Sequence, residues 1–224
     1  MPFDQEQRPG PERGIPGRGT YERAINLPPA ILWLIVINVA VQGLRQLLSD
    51  GVDDKLILQL GLIPARYTNG ATDDWLSLIA APIAYQFLHG GWVHLGVNML
   101  SLAAFGAPVE RTLGPRRFVL FYLAAGIAAA AVHVLIYSDS IDPVVGASGA
   151  ISGIFGGVLI LLRNGGGITS LLPVAGVWIA MNVFFGVVGG TPGAGDQPVA
   201  WAAHIAGFLF GLAAIRLFVP RPPA

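Results

Sequence analysis

Cysteine is absent from the 224 residues, which excludes disulfides, thiol nucleophiles and thiolate metal sites and leaves redox chemistry silent about compartment. Charge is scarce. Asp, Glu, Lys and Arg make up 12% of the chain, against about a quarter in soluble domains. The formal net charge is +0, so the chain lacks the basic face that nucleic acid requires. An apolar N-terminal leader core is missing too: residues 1–23 carry Pro2, Pro9, Pro11 and Pro16 among mixed Arg and Glu. That stretch is expected to be a disordered tail and not a cleavable signal peptide.

What remains is 54% apolar and arranged in runs. No charge occurs over 24–44, 75–109, 118–138, 143–162, 164–195 or 197–215. A membrane-spanning helix needs roughly 20 mostly apolar residues, so each window can hold one. The chain is read as an all-α membrane protein with six transmembrane helices near 29–48, 92–110, 117–137, 147–163, 169–188 and 199–218. One membrane domain spans 24–220, with 49–91 as a long outer loop and 221–224 as a short tail. Trp75, Tyr85, Phe87 and Trp92 suit that loop to the membrane interface.

The basic residues orient the bundle. Arg8, Arg13, Arg18, Arg23, Arg111, Arg116, Arg117, Arg163, Arg216 and Arg221 fall on one side; Lys55 and Arg66 fall on the other, with Arg45 at a helix end. The positive-inside bias places both termini in the cytoplasm of a multi-pass protein, most simply in a bacterial inner membrane. Ser148, His94, Asn98 and His204 then all lie toward the outer ends of three different helices.

Polar groups inside a bilayer are costly and usually face one another or a cavity. Serine and histidine are the minimal pair for nucleophilic catalysis, because imidazole takes the hydroxyl proton as oxygen attacks a carbonyl. His94 and Asn98, spaced i, i+4, project from one helix face. Together with the Ser148 amide they can donate to a developing oxyanion; the blander role for them is interhelical packing. Gly149, Gly153 and Gly157 make one small-residue stripe; Ala203, Gly207 and Gly211 make another. Each stripe lies one residue from Ser148 or His204, so docking the two would bring serine and histidine together. No third acid is apparent, since Asp142 and Asp196 fall in outer loops, and a dyad is expected. His89 reads as a loop brace, His133 as a hydrogen-bonded interface residue, and Glu110 with Arg111 as ties between helix ends.

Rival chemistries fit less well. His94 is followed by Leu95-Gly96-Val97-Asn98, not by the Glu-x-x-His of a zinc protease. Gly193-Ala194-Gly195-Asp196 resembles the motif of aspartyl intramembrane proteases, but no second intramembrane aspartate accompanies it, and it reads as a turn. A transporter would show inverted repeats meeting at the midplane, and none is visible. A helix-binding adaptor that does not cut has no need of Ser148, His204 and Asn98 together.

These residues resemble the rhomboid family of intramembrane serine proteases over roughly 82–215. The resemblance rests on His89 with His94-x-x-x-Asn98, on Glu110-Arg111-x-x-Gly114, on Gly146-x-Ser148-Gly149 and on Ala203-His204-x-x-Gly207-x-x-x-Gly211. It implies a six-helix core with Ser148 as nucleophile, His204 as general base and acid, and His94, Asn98 and the Ser148 amide around the oxyanion. It further implies transmembrane protein substrates, no cofactor and no metal. Two positions depart from the pattern: Ala80-Ala81 occupies the region where many members carry Trp-Arg, and Ser152 stands where some carry an aromatic.

Overall fold

A computed structural model describes residues 27–68, 74–163, 167–188 and 200–221. The tail expected at 1–23, the turn at 193–196 and residues 222–224 lie outside the described residues. Among the described residues every regular element is helical, and the β interaction is a single bridge pairing Leu62 with Val144.

Three helices are long and apolar enough to cross a membrane: α5 (Trp92–Leu113), α6 (Pro115–Ile136) and α9 (Trp201–Phe218). Four apolar helical stretches are shorter: α1 (Pro29–Arg45), Trp75–Phe87, α7 (Ser148–Leu161) and the one at α8 (Leu172–Val188). α1, α5, α6, α7, α8 and α9 fall on the six expected helices, with ends displaced by at most three residues. The α5–α6 junction shows the cause. Gly114 adopts φ 77°, which ends α5 beyond Arg111, and Pro115 then opens α6 with its φ already helical. Large side chains such as Leu100, Leu135 and Leu217 lie exposed on the outside of these helices, the arrangement expected where lipid replaces water.

The 49–91 segment is more regular than a loop. It contains α2 (Asp50–Leu60), α3 (Ala65–Thr68), α4 (Trp75–Ala84) and a 3₁₀ turn at Tyr85–Phe87. Arg45, at the end of α1, ties this segment down. Its Nε and Nη2 meet the two carboxylate oxygens of Asp53 at 2.7 and 2.9 Å, and its Nη1 donates to the His89 carbonyl at 2.6 Å. A bidentate guanidinium–carboxylate pair fixes geometry as well as adding energy. Arg45 therefore anchors the approach to α5 although Ala80-Ala81 offers no such group.

Two contacts fix the depth of the core. Pro28 gives α1 no side-chain cap, and Glu110 of α5 replaces it: its two carboxylate oxygens accept from the Ala30 and Ile31 amides, each at 2.9 Å. A carboxylate at a helix N-terminus also complements the helix dipole. The second contact is between α7 and α9. A Cβ added at Gly207 would overlap the Gly149 carbonyl, and one at Gly211 would overlap the Gly153 carbonyl. On its other side α7 also packs closely on α6, where a Cβ on Gly149 would lie 2.8 Å from that of Ala129. Only glycine permits this approach, and dispersion between the touching backbones holds the helices together without a hydrophobic drive.

Candidate active site

Ser148 is the first residue of α7, and His204 lies in the first turn of α9. The glycine contact between these helices places His204 Nε2 2.8 Å from Ser148 Oγ. The other ring nitrogen, Nδ1, is 2.8 Å from Oδ1 of Asn182 on α8. Sequence reasoning missed Asn182. It is the one amide side chain in an otherwise apolar helix, the same signal that drew attention to Asn98.

His94 and Gly146 also lie near the serine. Gly146 adopts φ 128°, and a Cβ there would lie 3.0 Å from His94 Nε2 and 3.7 Å from Ser148 Oγ. Glycine is needed for both the dihedral and the space. Its amide donates to the Tyr85 carbonyl at 2.9 Å, and the Tyr85 hydroxyl donates to the Gly126 carbonyl at 2.7 Å. Tyr85, which the sequence flagged only as interfacial, thereby sets the entry into α7.

His94 Nδ1 accepts from the Gly90 amide at 3.3 Å. The proton of a neutral imidazole then resides on Nε2, the nitrogen facing Gly146 and Ser148. Asn98 is buried, and its Nδ2 donates one hydrogen to the His94 carbonyl at 3.1 Å; an amide nitrogen carries two. The Ser148 N–H belongs to the first turn of α7, where backbone donors have no intrahelical acceptor. His94 Nε2 and Ser148 Oγ thus both flank Gly146, at 3.0 and 3.7 Å from a Cβ built there.

His89 takes no part in that set. Its side chain is fully buried, neither ring nitrogen has a hydrogen-bond partner among the described residues, and its ring meets that of His94 edge-on at 5.2 Å. Burial, with a smaller contribution from neighbouring His94, pushes its pKa down to about 3. His133 of α6 packs against Tyr137 at 4.8 Å, but its Nδ1 has no partner among the described residues. The expected hydrogen bond is therefore missing at that nitrogen.

The family model for the Rhomboid domain matches residues 75–221. RHOMBOID-like protein 4 of Arabidopsis thaliana is 35% identical over 144 residues, covering 62% of this chain and 34% of that protein. The putative rhomboid protease YdcA of Bacillus subtilis is 32% identical over 148 residues, covering 64% of this chain and 69% of its own length. Rhomboid protease GluP of the same organism is 35% identical over 141 residues, 62% of this chain but 24% of GluP. The chain thus spans about a third of the Arabidopsis relative and about a quarter of GluP. The matched region contains Ser148, His204, His94, Asn98 and Asn182, and the chain belongs to the rhomboid family.

Proposed function

We propose that the protein is an intramembrane serine endopeptidase that cuts transmembrane segments of other membrane proteins. The observation that carries this reading is the 2.8 Å contact between Ser148 Oγ and His204 Nε2 inside an apolar bundle. Six helices, α1 and α5–α9, cross the bilayer, and both termini are cytoplasmic. The simplest location is a bacterial inner membrane.

Ser148 Oγ attacks the scissile carbonyl carbon while its proton passes to His204 Nε2. The carbonyl oxygen becomes an oxyanion held by His94 Nε2–H, the free Asn98 N–H and the Ser148 amide. Each such donor is worth about 10²–10³ in rate. His204 then gives its proton to the departing amide nitrogen, the C–N bond breaks, and the acyl chain stays on Ser148. A water loses a proton to His204, attacks the ester and frees the new carboxylate, and the proton returns to Ser148.

Depth follows from the length of α7. Its 14 residues rise about 21 Å at 1.5 Å per residue, against a hydrocarbon core of about 30 Å. With its C-terminus at the cytoplasmic interface, Ser148 sits about 9 Å beneath the outer one. A substrate helix must unwind there, because a helical peptide bond is shielded and already hydrogen-bonded. The preferred substrates carry small or helix-breaking residues near the outer boundary.

The test uses purified protein in detergent with a transmembrane reporter substrate. Ser148→Ala and His204→Ala are each expected to lower cleavage by at least about 10³-fold while leaving thermal unfolding unchanged. A Ser148→Ala protein that cut at the wild-type rate would remove the assignment.

A further inference from the structure

Nothing in the Ser–His pair by itself says which nitrogen of His204 carries its proton. The reaction needs the lone pair on Nε2, facing Ser148, and therefore needs the proton on Nδ1. In soluble serine proteases a buried aspartate enforces that choice, and its replacement by asparagine costs about 10⁴ in kcat because the wrong tautomer results. Here no carboxylate approaches His204 among the described residues. The groups at its ring nitrogens are Ser148 Oγ and Asn182 Oδ1, and the other titratable side chains acting on it are His94 of α5 and His133 of α6.

An asparagine can present either its oxygen or its nitrogen, and the two are interchanged by a flip of the amide. At Asn182 a backbone group makes the choice. Its Nδ2 lies 2.9 Å from the carbonyl oxygen of Trp178, one turn earlier on α8. A carbonyl only accepts, so that position requires the NH₂ end, and Oδ1 must turn to His204. Oδ1 in turn only accepts, so Nδ1 must donate. The carbonyl is itself held in place: the Trp178 ring packs on Phe155 of α7 at 4.9 Å and on Phe208 of α9 at 6.2 Å. The side chain of Asn182 is buried, which shields the hydrogen bond from competing water.

We propose that Asn182 is a positioning residue that fixes the Nδ1–H tautomer and the orientation of His204, so that the catalytic pair is completed by a neutral third member on α8. This rests on the serine protease reading above. An amide suits a membrane enzyme better than a carboxylate: a charged aspartate inside a membrane helix is costly, and the amide orients the ring without that cost. Asn182 also makes the pair depend on where α8 stands. A displacement of α8 away from α9 breaks the Asn182–His204 bond and releases the ring, whereas the α7–α9 contact stays intact.

The test compares Asn182→Leu and Asn182→Asp with wild type in full-length protein, following reporter cleavage across pH and the ¹⁵N spectrum of histidine-labelled protein. Asn182→Leu removes the acceptor and is expected to lower kcat by about 10–100-fold, less than the loss of a triad aspartate, with KM within about twofold. Asn182→Asp restores an acceptor. It is expected to keep at least about a third of the wild-type kcat and to move the acidic limb of the kcat/KM profile upward by about one pH unit, because a carboxylate favours imidazolium. The ¹⁵N spectrum of wild type is expected to show a protonated Nδ1 and a bare Nε2 for His204, and of Asn182→Leu a mixture of tautomers. Wild-type kcat in Asn182→Leu, or Asn182→Asp falling as far as Asn182→Leu with an unmoved acidic limb, would overturn the proposal. So would a wild-type His204 protonated at Nε2. Should Asn182→Leu not fold, the Asn182→Asp profile and the wild-type spectrum decide. A wild type that cuts nothing, or a Ser148→Ala protein that cuts, counts against the protease reading instead, and the spectrum still reports on Asn182.

Discussion

Each ring nitrogen of His204 and the Nδ1 of His94 has a partner, and those partners decide the direction of every proton in the mechanism. In the proposed mechanism Gly90 gives His94 the donor role through its amide hydrogen at Nδ1, and Asn182 gives His204 the base role by accepting from Nδ1. His89 behaves differently, since among the described residues its buried ring nitrogens have no hydrogen-bond partner and burial favours the neutral form. Its folded pKa of about 3 lies below the unfolded value near 6.5. The folded state therefore binds fewer protons, and the stability present above pH 6.5 is lost as pH falls from there toward 3. Between pH 7 and pH 5 that amounts to about 2 kcal/mol at about 1.4 kcal/mol per pH unit. Unfolding of wild type and His89→Phe in detergent at both pH values checks this: the variant is expected to lose less stability by about that amount, and equal losses would contradict it. Ser148, His204, His94 and Asn98 could be picked out of the sequence because reactive or amide side chains stand out in apolar helices. Asn182 stood out in the same way and was passed over, because a lone amide on a helix without a motif reads as packing until its partner is known.

The α7–α9 contact converts a pattern of small residues into a distance. Gly207 touches the Gly149 carbonyl and Gly211 the Gly153 carbonyl, and these two points bring Ser148 and His204 to hydrogen-bond range. Any side chain at Gly207 must push the helices apart. Gly207→Val is accordingly expected to lower cleavage by at least about 100-fold, as a misplacement of about 1 Å can, even where the protein still inserts. Wild-type cleavage by that variant would show that the close approach does not set the geometry. The sequence held this contact in plain view as two four-residue periodicities, and it held the six apolar helices as charge-free windows. It hid the helices of 49–91. α2 carries Asp50, Asp53, Asp54 and Lys55 with no buried residue, so it shows no apolar face, and α4 is interrupted by Pro82, a residue that reads as a helix breaker. What holds this segment is long-range: Arg45 reaches from α1 to Asp53 and to the His89 carbonyl, a pairing that no local pattern announces.

At the scale of the whole molecule, a short helix is set among longer ones. α5 and α6 each have 22 residues and α7 has 14; in the proposed topology α7 therefore begins below the outer surface. The serine is then reached through the segment before Ser148, held by the Leu62–Val144 bridge and by the Gly146–Tyr85 bond. Glu110 fixes the level of α1 against α5 by capping its N-terminus. In the proposed mechanism, catalytic chemistry, water and an unwound substrate meet within about one third of the bilayer thickness. The most direct measurement is to reconstitute the protein with a single-span substrate in liposomes and to determine the masses of the fragments. Wild type is expected to cut one bond within about 10 Å of the outer boundary of the substrate's apolar segment, and Ser148→Ala to cut none. Cleavage outside the bilayer, or the same fragments from Ser148→Ala, would contradict an intramembrane serine protease.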